Sequence, residues 1–298
     1  MSKGGDVAHS FFDGWGLPFL LDDSPDLVER VAAVICGGSQ CLGNDDELSR
    51  DHGWGPHFTL ILTGEDMRRR GRGLCTRINR AAPRNWDGYE LRGNRSVSVK
   101  VASINRWFRE EVKCSHPPTT FNGWYHGTRE DNLCMLRYAP VFYDPLGERS
   151  ARRSGFSSYP DEVWEQRIKD ELFTVWHFGQ YNFLDRLTRR QDPVAISVAL
   201  GKFSEGVMRM SLVMGHEYCP YWKWLAAQFR KLPDVEAIDT WLRELASTTD
   251  LKTQADLVDE VCTEMHKRLV AMFDLDPNPT GHPHPLFCAR HELAARDS

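Results

Sequence analysis

From about residue 158 to residue 275, apolar residues recur at three- and four-residue spacing, a period that commits this half of the chain to helices. Trp164, Ile168, Leu172, Val175, Gly179 and Phe183 fall on one helical face. Asp192-Pro193 supplies a capping carboxylate followed by proline at the first helical position. Behind it, Ile196, Ala199, Leu200, Phe203, Val207, Met210 and Met214 form a second apolar stripe. Asp234 is expected to cap a helix carrying Ile238, Trp241, Leu242 and Leu245. Val258, Val261, Cys262, Met265, Leu269 and Met272 make the last stripe. Four prolines then crowd positions 277 to 285, so residues 276–298 are expected to form an irregular tail.

The front half reads differently. Phe58 to Leu62 predicts a buried strand, and Val97, Val99 and Val101 alternate with polar residues at the strand period of two. Residues 138–144 predict a further short strand, ended by Pro145-Leu146-Gly147. Residues 65–80 suit a basic helix, and Ser103 is placed to cap another that carries Ile104, Trp107 and Phe108. Leu27, Val28, Val31, Ala32 and Ile35 follow Ser24-Pro25-Asp26 at helical spacing, which predicts a short amphipathic helix. The expected fold class is α+β. Residues 1–157 form a mixed sheet with helices, residues 158–275 a helical bundle, and residues 276–298 the tail.

Composition narrows the function classes. With 41% hydrophobic and 27% charged residues, a packed core is expected rather than disorder. A formal net charge of −5 argues against a general nucleic-acid binder. Arg68-Arg69-Arg70-Gly71-Arg72, with Arg77 and Arg80, then reads as a solvated helix face. No apolar run reaches the length of a membrane span, and the N-terminus lacks the basic start and apolar core of a signal peptide; a soluble, cytoplasmic protein is expected. Eight cysteines are scattered without a C-x-x-C pair, as free buried thiols would be.

One segment has the content of a phosphate site. In Gly37-Gly38-Ser39-Gln40-Cys41-Leu42-Gly43 the glycines allow close backbone approach, and the serine hydroxyl with exposed N–H groups can cradle a phosphate. A nearby carboxylate such as Asp51 can hold Mg²⁺, which in turn binds phosphates.

The longer string from Gly37 to Pro56, through Asn44-Asp45-Asp46-Glu47-Leu48-Ser49-Arg50-Asp51-His52-Gly53-Trp54-Gly55, resembles the signature of the DUF4037 family, a branch of the polymerase-β-type nucleotidyltransferases. Supporting echoes are Val141-Phe142-Tyr143-Asp144-Pro145-Leu146-Gly147 and Tyr218-Cys219-Pro220-Tyr221-Trp222-Lys223-Trp224-Leu225. The resemblance implies a nucleotidyltransferase-like mixed sheet at the N-terminus. It also implies Mg²⁺-dependent (or Mn²⁺-dependent) movement of a nucleoside monophosphate from a nucleoside triphosphate to a small-molecule acceptor. Gly38, Ser39 and Gly43 would hold the triphosphate, and Asp51 would be the first metal ligand. Where the family pattern has a second aspartate this chain has Gly53, His57 replaces an arginine, and Lys100 stands on the strand that would carry a third acid. Asp45, Asp46, Glu47, Glu90 or Asp144 are the acids available to complete the site, with Asp46 and Asp144 as metal ligands and Asp46 and Glu47 as catalytic groups.

The same resemblance suggests a helical-domain glutamate, Glu205 or Glu171, as base on the acceptor. Lys223, among Tyr221, Trp222 and Trp224, suits a planar or anionic ligand. Lys202 lies beside Glu205. Two other classes fit the departures. The scaffold either keeps its cleft as a ligand-binding or partner subunit without transfer chemistry, or performs a different reaction, as in specialised metabolism, with His52 or His57 as acid–base group.

Overall fold

The computed structural model describes residues 3–51, 54–91 and 99–296, with the side chains of Arg50 and Asp51 also outside that description. It divides into two compact units, Met1–Tyr159 and Pro160–Ser298.

The first unit is built on a four-stranded mixed sheet. Its strands are β1 (Ala32–Val34), β2 (Phe58–Leu62), β3 (Val99–Ser103) and β4 (Val141–Tyr143), in the order β3-β2-β1-β4. β2 pairs β3 in parallel, so Phe58 lies opposite Val99 and Thr59 opposite Lys100. β1 is antiparallel to both neighbours, with Val34 opposite Thr59 on one side and Val141 on the other. Phe58 and Leu60 join Phe11, Phe12, Leu74 and Ile78 in the main core of this unit.

The parallel pairing of β2 and β3 requires a crossover. The helical run from Gly64 through a π-helical turn, Met67–Gly71, into α3 (Arg72–Ala81) supplies it. α4 (Ile104–Val112) then runs back along the sheet, with the Ser103 hydroxyl accepting from Arg106 N at 3.4 Å as its cap. α5 (Glu130–Tyr138) and α6 (Glu148–Ser154) flank β4 in the chain. At the front, α1 (Gly4–Phe11) continues through a π-helical turn into α2 (Leu17–Asp23).

Two expectations about the strands are corrected here. Residues 25–35 are not one helix: a 3₁₀ turn, Pro25–Arg30, leads into β1. The run Val31-Ala32-Ala33-Val34-Ile35 is buried and rich in β-branched residues, and pairing on both edges overrides its helical spacing. The strand expected over 138–144 is confined to 141–143, because Tyr138 still belongs to α5. Of the alternating valines, Val97 lies outside the described residues.

The second unit is helical. Its principal helices are α7 (Asp161–Trp176), α8 (Pro193–Met214), α9 (Trp222–Phe229), α10 (Glu236–Ser247), α11 (Leu251–Phe273) and α12 (Pro285–Ala295). Asp192 caps α8 by accepting from Val194 N and Ala195 N at 2.9 and 3.2 Å. The stripes named from sequence meet in one core that includes Ile168, Leu172, Phe203, Val207, Met210, Val261 and Met265. Gly179 matters there because a β-carbon at that position would lie 2.6 Å from the Phe203 ring.

Asp234 does not cap α10. It takes a left-handed backbone (φ 56°), and Val235 occupies the cap position. The tail is also corrected. Within 276–298, Pro285 opens α12, which buries Leu286, Ala289 and Leu293. Proline at a first helical turn is a start signal rather than a breaker.

Candidate functional site

β1 delivers the chain to Cys36 and then to two glycines that turn it sharply. Gly37 and Gly38 have φ of 101° and 74°, backbone that other residues adopt only with strain. Among the described residues no atom stands within 4 Å of where a β-carbon would project at either glycine, so conformation rather than crowding calls for glycine here. Ser39–Leu42 then forms a single 3₁₀ turn, closed by Gly43 with φ 66°. Asn44 N donates to Ser39 O at 3.0 Å, and the Cys41 thiol donates to Gly37 O at 3.3 Å. The result is a glycine loop with its serine at the start of a helical turn.

The loop is fixed from two sides. Lys3 Nζ donates to Gly43 O at 2.8 Å, and Gly4 N donates to Asp45 Oδ2 at 2.7 Å. The same oxygen accepts from Trp54 Nε1 at 3.0 Å. Burial pushes the Asp45 carboxyl up, but these hydrogen bonds and the Lys3 charge outweigh it and hold the pKa below the ordinary value. Asp45 is thereby a clamp between the N-terminus and the loop. On the other side, Gln40 Nε2 lies 3.1 Å from His57 Nε2, while His57 Nδ1 lies 3.0 Å from Gly55 O. The tautomer that satisfies both contacts has Nδ1 donating and Nε2 accepting. Burial, with the Lys100 charge adding to it, lowers the His57 pKa and keeps the ring neutral.

The carboxylates expected to converge do so only in part. Asp46 Oδ1 accepts from Ser49 N at 3.0 Å and Ser49 Oγ at 2.8 Å, which makes Asp46 the local cap of the 3₁₀ turn Glu47–Asp51. Glu47 is exposed on that turn. Asp51 ends it, and its side chain lies outside the described residues, as do His52 and Gly53. Asp144 follows β4, and Tyr143 pairs with Ala33 while Val141 pairs with Val34. The antiparallel register therefore carries Asp144 to the start of β1, away from the glycine loop at its end. There Asp144 Oδ2 accepts from Ser150 N at 2.8 Å and borders a small cleft with Arg30 and Thr63. Glu90 is exposed on a separate two-stranded ladder.

Among the described residues, no three His, Cys, Asp or Glu side chains come together as a metal-binding group. Lys100, exposed on β3 opposite Thr59, puts a cation on the strand expected to carry an acid.

The remaining candidates belong to the second unit. Glu205 is exposed on α8. Glu171 is buried and accepts from Arg209 Nε at 2.7 Å, an ion pair that occupies the carboxylate. Lys202 Nζ lies 5.3 Å over the Phe178 ring, and Lys223 Nζ 5.0 Å over that of Trp224, exposed at the start of α9.

Sequence reasoning missed Cys36 and Glu111 next to the loop, and the buried Arg149 on α6. Burial raises the Cys36 thiol well above its ordinary value and pushes Cys41 up to about 12, which favours the protonated thiols. Burial also raises the Glu111 carboxyl, against the Cys36 hydrogen bond and the Lys100 charge. No local pattern announces a buried arginine at 149.

Among known proteins, no curated sequence matches the chain significantly. The solved structure of a nucleotidyltransferase-like protein from Exiguobacterium sibiricum 255-15 aligns over 96% of this chain and 88% of that one, with 9% identity and a TM-score of 0.36. Residues 124–225 match the family model of DUF4037, a domain of unknown function; the match contains both echoes, residues 141–147 and 218–225, and begins after the glycine string.

Proposed function

We propose that this chain binds a nucleoside triphosphate at the Gly37–Ser39 loop, as the binding half of nucleotidyl transfer to a small-molecule acceptor. The observation that carries the reading is the loop itself: two consecutive positive-φ glycines with open space around them, then a serine opening a helical turn. Such a loop presents backbone N–H groups and a hydroxyl to an anion. The DUF4037-like string supports a nucleotide as the source of that anion. In the transfer, an acceptor oxygen attacks the α-phosphorus, the bond to the bridging oxygen breaks, and pyrophosphate leaves. Asp51, with Asp46 and Glu47 on the same turn, would be the residues to supply Mg²⁺ ligands. In this reading Glu205 would act as base on the acceptor and Lys223 as a ligand contact.

A second reading is favoured by Lys100. A cation at the loop's end of the sheet suits a phosphate better than a metal ion, and fits a protein that binds the nucleotide without transferring it.

Asp51→Asn separates the two. If transfer is the function, the substitution leaves metal-free binding of a slow-reacting triphosphate analogue within about twofold, removes the affinity that Mg²⁺ adds, and abolishes pyrophosphate release. Metal-independent binding by the unaltered protein, without pyrophosphate release across a panel of acceptors, would select the second reading.

A further inference from the structure

The crossover between β2 and β3 turns its Leu74 and Ile78 into the core of the first unit and shows solvent a face of one sign. From Met67 to Arg80 the exposed positions are Arg68, Arg69, Arg72, Arg77 and Arg80, with Gly73 and Thr76 between them. They recur at steps of one and three residues, the spacing of a single helical face. Two of the five are paired, Arg69 with Glu65 at 3.1 Å and Arg77 with Asp23 at 2.7 Å. Half-buried Arg70 pairs with Asp26 at 2.8 Å. Among the described residues, Arg68, Arg72 and Arg80 have no carboxylate partner. A hollow of about 420 Å³ beside the π-helical turn is lined by Arg68, Arg69, Arg70 and Arg72.

A face that need only be solvated is served by charges of both signs, and Arg68 and Arg72, four residues apart, repel each other. The chain as a whole carries −5, so this face reverses the sign locally and would draw a polyanion to itself. Two kinds of macromolecule could answer such a face. A protein partner needs aromatic or aliphatic anchors at the centre of the contact, and the exposed row has none. A phosphate backbone needs only cations, and a guanidinium grips a phosphate through two parallel N–H groups. At the helical rise the row from Arg68 to Arg80 is about 18 Å long, the axial length of about five nucleotide steps in a duplex strand. We infer that the outward face of this crossover helix binds the phosphate backbone of a nucleic acid without reading its sequence. Triphosphate binding at the glycine loop is not required for it, so the two readings stand or fall separately.

The test is binding over a range of salt. Fluorescence anisotropy compares RNA and DNA single strands of about 20 nucleotides, the DNA duplex, and polyglutamate of equal charge. The variant R68Q/R72Q/R80Q removes the unpaired arginines and keeps helix-forming side chains. R189Q/R190Q/K252Q removes as much charge from exposed positions of the second unit. The unaltered protein should bind the strands irrespective of sequence, with affinity falling as salt rises. R68Q/R72Q/R80Q should lose about tenfold or more at low salt, and its slope of log affinity against log salt should be shallower by about 2 on a single strand. It should melt no lower than the unaltered protein, because a repelling pair is gone. The second-unit variant should stay within about twofold of the unaltered protein.

Equal affinity for RNA and DNA, lost in R68Q/R72Q/R80Q, would uphold recognition of the backbone alone. A preference for RNA lost in the same variant would uphold it and identify the natural strand. Equal losses in the two triple variants would make net charge the cause and overturn it. Polyglutamate bound as tightly as the strands, with the same loss, would point to an acidic protein and overturn it too. So would the absence of any binding at low salt.

Discussion

The two units of this chain are held together by different physics. The second is a bundle whose apolar stripes, spaced at the helical period, merge into one core from Ile168 to Leu293. The first has an apolar core of its own, and its glycine loop is tied down by polar contacts between residues far apart in sequence. Lys3 and Gly4 reach Gly43 and Asp45, Arg77 pairs with Asp23 at 2.7 Å, and Arg30 with Asp66 at 2.9 Å. A helical core tolerates exchange of similar apolar groups, whereas a hydrogen-bonded loop depends on particular atoms. The loop proposed to bind phosphate belongs to the unit that is specified atom by atom.

That contrast can be broken at its strongest point by Phe203→Ala. Phe203 is fully buried on α8 against Gly179, and its removal opens a cavity that should cost about 3–5 kcal/mol in denaturant unfolding. A loss below about 1 kcal/mol would mean that the bundle core is not packed as described.

A smaller effect is expected in the first unit. Asp45→Ala strands the Gly4 N–H and the Trp54 indole N–H, at about 1–3 kcal/mol. Its pH dependence has a definite sign. The folded pKa of Asp45 lies below its ordinary value of 3.8, so the unfolded chain takes up the proton first as acid is added. The Asp45 contribution should be complete above about pH 4 and disappear as pH falls through the lowered value. Melting curves of the unaltered protein and Asp45→Ala should therefore converge in acid, and a constant gap would remove Asp45 from the clamp.

The smallest effect sharpens the loop itself. His57 is held neutral, with a folded pKa below 6.5, so its contribution is complete above that pH and is lost as pH falls toward the folded value. His57→Gln should flatten the decline of stability between pH 7 and pH 5. His266, also lowered by burial, leaves a residual slope in that variant.

How much of this was legible in the sequence follows the same division. Helices such as α8 announce themselves, because Asp192-Pro193 and a 3.6-residue period are local signals. β1 was misread for a physical reason: Leu27, Val28, Val31 and Ile35 have helical spacing, and only the pairing with β2 and β4 makes a strand of the segment. The loop was visible as Gly37-Gly38-Ser39, since glycine tolerance of positive φ is a property of the residue. The fate of its acids was not visible. Asp144 is turned away by the antiparallel register of β4, Asp46 is occupied by a serine three residues on, and Asp45 is taken by the chain's own N-terminus. Arg149 left no local trace, because it is buried by residues distant in sequence, Ala32, Leu62 and Trp107 among them.

The central claim is that the glycine loop holds a triphosphate. It is tested most directly by titration calorimetry of the purified protein with slow-reacting analogues of the four nucleoside triphosphates, with and without Mg²⁺ or Mn²⁺, beside Ser39→Ala. The account predicts micromolar binding of at least one triphosphate and a loss of about tenfold in Ser39→Ala, equivalent to about 1.4 kcal/mol. Absence of binding to all four, or equal affinity for the unaltered protein and Ser39→Ala, would contradict it.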